Sequence, residues 1–260
     1  MARALQTQAP APEPPVLPLA LALSTLIGLS LGLLGGGGSI LTTPILVYAL
    51  GVEPKSAIAT SLLVVGVTSL AAIVTHARAG NVDWRTGFLF GAAGMAGAWG
   101  GGHLAAWIPA RVLMGLFALM MLVTAAAMFR GRKEVAPRSG PIPVPTVLVE
   151  GLIVGLVTGL VGAGGGFLVV PALALLGGLP MPRAVGTSLL VIALKSFAGY
   201  AGHAAHVEVD LTLAAAMSGA AVVGSFGGVA LSKRVPAELL RKGFAAFVLV
   251  MGVFVLYQQI

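Results

Sequence analysis

Three kinds of group in this sequence have the chemistry to hold an anion without a metal. Glycine runs stand at Gly35 to Gly38, in "GLLGGGGSILTTP", and at Gly162 to Gly166, in "GLVGAGGGFLVVP". Backbone N–H groups of glycine at the start of a helix point outward, carry part of the helix dipole and leave room for close approach. Hydroxyl pairs follow each run, Thr60 with Ser61 and Thr187 with Ser188. One lysine, Lys195, sits inside the apolar stretch "TSLLVIALKSFAGY". A nucleotide-binding P-loop needs Gly-Lys-Ser/Thr after its glycines. Here Ser39-Ile40 and Phe167-Leu168 follow instead, and no metal-binding acid is nearby.

The elements that must position these groups are membrane helices. The chain has 260 residues, 58% of them hydrophobic and only 9% charged, with a mean hydropathy of +1.02. That leaves too little polar surface for a water-soluble exterior. The net charge of +7 comes from Lys and Arg in short segments between apolar stretches, which reads as positive-inside anchoring rather than nucleic-acid binding. Cysteine is absent, which removes disulfides, thiolate metal sites and Cys nucleophiles from consideration. The sequence therefore predicts an all-α, polytopic membrane protein with the lipid bilayer as its surroundings.

Sliding the chain by 127 residues superposes its two halves without a gap. Gly28 falls on Gly155, Gly32 on Gly159, Gly38 on Gly165, Pro44 on Pro171, Thr60-Ser61 on Thr187-Ser188, His76 on His203 and Asp83 on Asp210. Residues 1–15 read as a Pro-rich disordered tail, 16–129 and 144–260 as tandem transmembrane repeats of about four hydrophobic segments each, and 130–143 as a cytoplasmic linker loop.

The opening segment of each repeat is too long for one span. From Pro18 to Leu50 a continuous helix would measure roughly 50 Å, against a hydrocarbon core of ~30 Å. The glycine runs mark a break near the midplane. Pro44 and Pro171 mark the first turn of a second piece, over 44 to 50 and 171 to 178. If each broken segment enters and returns on one side, Arg78, Arg132 and Lys233 share the cytoplasmic face and Glu208 lies opposite. Each half then makes an odd number of crossings and the repeats are inverted. Four plain spans per half, with parallel repeats, is the alternative.

The anion reading favours Gly37, Gly38, Ser39, Gly164, Gly165 and Gly166 as backbone donors. Gly28, Gly32, Gly155 and Gly159 fit better as helix-packing residues. The hydroxyls of Thr60, Ser61, Thr187 and Ser188 either meet the anion or bond to a carbonyl one turn back. Ser188 and Lys195 are seven residues apart, about 20° on a helical wheel, and so share a stripe. If that stripe faces the second glycine loop, Lys195 can attract the anion and exchange a proton with it. Asp83 and Asp210 read as helix N-caps. An intramembrane hydrolase using Ser188, His203 and Asp210 is disfavoured, because Ser188 and His203 lie roughly 22 Å apart along one helix.

The two glycine motifs, "AIATSLLV" with "AVGTSLLV", and "AGNVDW" together make the chain resemble the TauE/SafE sulfite exporter family over nearly its whole length. That resemblance implies secondary transport of a small organic or sulfur-containing anion, such as sulfite or a sulfonate, by a tandem-repeat protein in the bacterial inner membrane. An anion-conducting channel is the alternative. No cofactor and no nucleic acid are expected. Coupling to protons or to another ion, and assembly as a homo-oligomer, fit the same reading.

Overall fold

The computed structural model describes residues 16–34, 38–130, 144–161, 166–173, 179–232 and 237–258, and these are helical with short connections. The expected tail and nearly all of the expected linker lie outside the described residues. In chain order the helices are α1 (Val16–Leu34), α2 (Ser39–Pro44), α3 (Pro54–Arg78), α4 (Trp84–Ala105) and α5 (Ala110–Arg130). Beyond residues 131–143 follow α6 (Val144–Val161), α7 (Gly166–Pro171), α8 (Met181–Ala204), α9 (Leu211–Ser232) and α10 (Ala237–Tyr257). Four described stretches, Pro54–Arg78, Val144–Val161, Pro182–Ala204 and Leu211–Leu231, are long and apolar enough to cross a membrane. The outward faces of α5 and α6 carry exposed Leu119, Val123, Val149, Ile153 and Leu156, a surface suited to lipid rather than water.

Local chemistry sets the helix starts. The Glu53 side chain accepts from the Ser56 N–H at 3.0 Å ahead of Pro54. Asp83 Oδ1 accepts from Thr86 N–H at 2.9 Å, and Asp210 Oδ1 accepts from the N–H groups of Thr212 and Leu213. These carboxylates satisfy donors that the first helical turn leaves open. Gly51 and Gly80 close the preceding turns with φ of +68° and +71°, where a side chain would be strained.

Glycine then fixes which helices touch. A Cβ placed on Gly28 or Gly32 would overlap the carbonyl of Ala221 or Ser225, and one on Gly224 or Gly228 that of Thr25 or Leu29. α1 and α9 therefore meet backbone to backbone and run parallel. α4 and α6 do the same: Gly155 sits on Gly94, Gly159 on Ala98, Gly97 on Leu152 and Gly101 on Leu156. The stripe follows the small-residue pattern of membrane helix pairs. α8 lies parallel to α4, with Gly87 against Leu190, Gly91 against Leu194 and Gly102 against Gly199. It lies antiparallel to α3, with Gly66 against Phe197 and Gly186 against His76.

These directions have a topological result. α9 turns back from α8, so it runs with α3; α1 runs with α9, and α1 and α3 thus point the same way. The chain between them must return, and Gly38 lies against Ile27 and Leu31 of α1 as α2 doubles back. The returning piece begins at Ser39, ahead of the position the proline suggests, and Pro44 is its last α-helical residue rather than its first turn. The helix absorbs the missing proline N–H by widening into a π-helical stretch, Ile45–Ala49, closed by Leu50 N–H to the Ile45 carbonyl at 3.1 Å. Pro171 likewise ends α7 rather than opening a helix.

Close packing at some glycines and open space at others generates a stability prediction. Gly28→Val and Gly155→Val should each cost about 1–3 kcal/mol by forcing helices apart. Gly115→Ala and Gly219→Ala, which meet nothing within 4 Å, should be neutral or stabilising by up to about 1 kcal/mol. Thermal unfolding of detergent-purified variants checks the split, and equal losses in both groups would contradict the packing.

Candidate functional site

Of the candidate residues, Gly38 and Lys195 lie halfway through the described bundle, while Thr60, Ser61, Thr187 and Ser188 stand nearer the starts of α3 and α8. Gly94, at the middle of α4, faces Gly155 of α6 and the Cβ of Lys195 on α8. Gly28 on α1, one residue from the Ile27 that Gly38 meets, faces Ala221 at the middle of α9. α2 and α7 touch each other, and Ile40 and Leu41 of α2 share one apolar cluster with Val161 and Leu168.

Lys195 is 1% exposed. Its Nζ donates to Thr158 Oγ1 on α6 at 3.2 Å. The Thr158 hydroxyl hydrogen is committed to the backbone, to the Val154 carbonyl at 2.7 Å with Gly155 at 3.2 Å, so toward the lysine Thr158 is an acceptor. At Lys195, the stripe it shares with Ser188 therefore meets α6, and Thr158 stands just before Gly162 in sequence.

The hydroxyl pairs are buried and divided in their bonding. Thr60 Oγ1 donates to the Ser56 carbonyl at 2.8 Å, Ser61 Oγ to Ile58 at 2.8 Å and Ser188 Oγ to Val185 at 2.6 Å. These are the back-bonds common in membrane helices. Ser61 also accepts from Thr43 Oγ1 at 2.9 Å, which ties α2 to α3. Thr187 Oγ1 accepts from the Asp83 N–H at 2.8 Å and so joins the start of α4 to α8. Ser39 is fully buried at the start of α2, and Gly166 is buried at the start of α7. Gly37, Gly164 and Gly165 lie outside the described residues, as do Arg132 and Lys233.

Several residues that sequence reasoning missed join the buried polar set. Ser69 and Ser196 are fully buried, and neither hydroxyl has a partner among the described residues. They are separated by the same 127 positions as the other matched pairs, a signal present in the sequence. Thr43 and Thr158 carry no such signal, since their partners are distant in sequence. His203 Nε2 donates to the Gly159 carbonyl at 2.7 Å, whereas Nε2 of the matching His76 is buried without a partner among the described residues.

Charged groups of both signs stand at the helix ends, with Glu53, Glu208 and Asp210 at the end where α3 starts. Within α1 to α10 the sequence holds only two carboxylates, Glu150 and Glu238. Lys55, His103, His203 and His206 instead gather at the end of the bundle where α3 starts: Lys55 Nζ donates to the Ala106 carbonyl at 3.0 Å, and the rings of His103 and His206 meet edge to face at 5.1 Å. A cleft of about 480 Å³ opens at that same end, lined by Val47, Tyr48, Pro54, Arg111, Met114 and Gln258. Lys195 does not line it. Among the described residues no cluster of three or more His, Asp or Glu is placed to hold a metal.

A buried lysine, buried hydroxyls and a returning helix thus stand inside an apolar bundle, and relatives of the chain are described as probable membrane transporters. The model of the sulfite exporter TauE/SafE family matches residues 20–255. The chain is 36% identical over 243 residues to a probable membrane transporter protein of Xylella fastidiosa strain Temecula1, covering 90% of this chain and 92% of the relative. A probable membrane transporter protein of Methanocaldococcus jannaschii is 29% identical over 258 residues, covering 93% and 96%. One from Bacillus subtilis is 24% identical over 237 residues, covering 89% and 97%. No solved structure matches the chain. With the family model covering most of its length, this chain is a multi-pass membrane protein that belongs to the TauE/SafE sulfite exporter family.

Proposed function

We propose that this protein is a secondary transporter of a small organic or sulfur-containing anion, sulfite-like or sulfonate-like, in the cell membrane. The observation that carries this reading is Lys195: a lysine buried at mid-depth in a membrane transporter family, with a hydroxyl as its hydrogen-bond partner. Intramembrane cations of this kind face partners or substrate pathways. The anion would be held between Lys195 and the broken segments, with Gly37, Gly38, Ser39, Gly164, Gly165 and Gly166 as candidate backbone donors. Thr60, Ser61, Thr187 and Ser188 order the surrounding helices. Gly38 also has a packing reason to lack a side chain, its contact with Ile27 and Leu31, so a bulky substitution there would not isolate an anion contact.

The reading further takes residues 16–129 and 144–260 as inverted repeats. Its support is the helix pairing: α1 with α9 and α6 with α4 are the same pair once the halves are exchanged. α1 and α3 point one way while α6 and α8 point the other. Such repeats alternate access by exchanging conformations around a midplane site. The difference between His203, whose Nε2 is bonded, and His76, whose Nε2 has no partner among the described residues, is the kind of asymmetry that exchange requires. Contact between α2 and α7 closes the described core and favours a carrier over a channel. A hydrolase is disfavoured because Ser188 bonds to Val185 and His203 to Gly159, leaving the two side chains in separate places.

Two measurements test this. Single cysteines placed at Arg78, Arg132 and Lys233 should label from the cytoplasmic side and one at Glu208 from outside; external labelling at position 233 would reject the inversion. In proteoliposomes, unlabelled sulfonate trapped inside should accelerate entry of labelled sulfonate, as a carrier does. Flux that shows no such counterflow and saturates at no concentration would indicate a channel.

A further inference from the structure

We propose that Lys195 takes up a proton together with the substrate and returns it on release, so that one proton travels with each monovalent anion and the loaded carrier is electroneutral. This rests on the reading that the mid-depth site binds an anion.

The geometry leaves an ammonium at this position short of partners. Thr158 accepts one N–H, while a protonated lysine has three to place. The elements packed on α8 are α3, α4, α6 and α7. Their titratable or charged groups are Lys55, His76 and Arg78 on α3, Arg85 and His103 on α4, and Glu150 on α6; α7 has none. α8 itself adds Arg183, Tyr200 and His203. All but Glu150 are either cationic or uncharged, and most sit toward helix ends. Glu150 precedes Thr158 by two turns, about 12 Å along α6, and Thr158 is the hydrogen-bond partner of Lys195 among the described residues. Among the described residues, the elements packed on α8 therefore supply no carboxylate at the depth of Lys195, the N-cap carboxylates Glu53 and Asp83 standing at the ends of α3 and α4.

Charge balance then couples the two ligands. An ammonium alone at mid-depth is costly, and so is an anion alone; the pair removes most of that cost. At one face R–NH₂, a proton and the anion combine to R–NH₃⁺·A⁻; at the other face the same three species separate. No electron moves and no bond to the anion forms. The matching positions in the first half are Thr68 and Leu31, neither titratable, which sets the count at one proton. One positive charge also selects a monoanion, such as a sulfonate or hydrogen sulfite, over a dianion.

Isethionate is a suitable probe because its sulfonate is ionised at every pH used, so any pH effect belongs to the protein. Proteoliposomes with membrane potential clamped by potassium and valinomycin should accumulate labelled isethionate when the outside is acidic. A tenfold proton gradient should support about a tenfold isethionate gradient, since each decade is worth about 1.4 kcal/mol. Changing the clamped potential should leave that ratio unchanged. Lys195→Met should lose both isethionate counterflow and accumulation driven by the proton gradient, whereas Lys195→Arg, which stays charged, should lose the proton-driven accumulation whatever counterflow it retains. Wild-type accumulation that follows membrane potential and ignores the proton gradient would overturn the coupling while leaving anion transport standing. Proton-driven accumulation by Lys195→Met would overturn the role of this residue. Absence of isethionate counterflow in the wild type would overturn the underlying sulfonate reading.

Discussion

Direct backbone contact between α1 and α9, and between α4 and α6, is the constraint on which the rest depends. In lipid there is no hydrophobic force to drive helix against helix, so closeness itself must stabilise the pair through dispersion and complementary shape. Glycine at Gly28, Gly32, Gly224 and Gly228, and at Gly94, Gly97, Gly155 and Gly159, permits that closeness. Because both pairs join one half of the chain to the other and both run parallel, they determine the direction of every neighbouring helix. The return through α2 follows from that, and with α7 it places short, non-spanning pieces of backbone inside the bundle. Such backbone is tolerated in a bilayer only when protein or a cavity surrounds it, and here α1, α3 and α10 surround α2.

Where the two halves of this scaffold differ, they carry the functional information. Matching positions hold Thr68 and Lys195, Leu31 and Thr158, and a histidine whose Nε2 has no partner among the described residues at His76 but bonds to a carbonyl at His203. Among the described residues the buried lysine therefore belongs to the second half alone. Ser69 and Ser196 add buried hydroxyls whose bonding capacity is unused among the described residues.

Much of this is legible in the residues themselves. The 127-residue register, the need for a break in a 16–50 segment too long for one span, the N-caps at Asp83 and Asp210, and the isolated charge of Lys195 depend on local pattern or on length. The start of α2 departs from the sequence expectation because proline, ordinarily a first-turn signal, is accommodated at the end of α2, where the helix widens into a π-helical stretch. Pairings such as Thr43 with Ser61 and Lys195 with Thr158 depend on which helix faces which, and no local pattern encodes that. The hydroxyls of Thr60, Ser61 and Ser188 cannot be assigned from sequence because a back-bond and a ligand contact use the same residue types; the structure shows the back-bonds.

Whether Lys195 forms part of a single anion site is decided most directly by equilibrium binding. A radiolabelled sulfonate titrated onto detergent-purified protein, wild type and Lys195→Met, reads the site without any dependence on gradients or orientation. The wild type should bind one sulfonate per chain, saturably and in competition with sulfite, and a folded Lys195→Met variant should lose that binding. Binding of equal affinity and stoichiometry in both proteins would contradict a site built around this lysine.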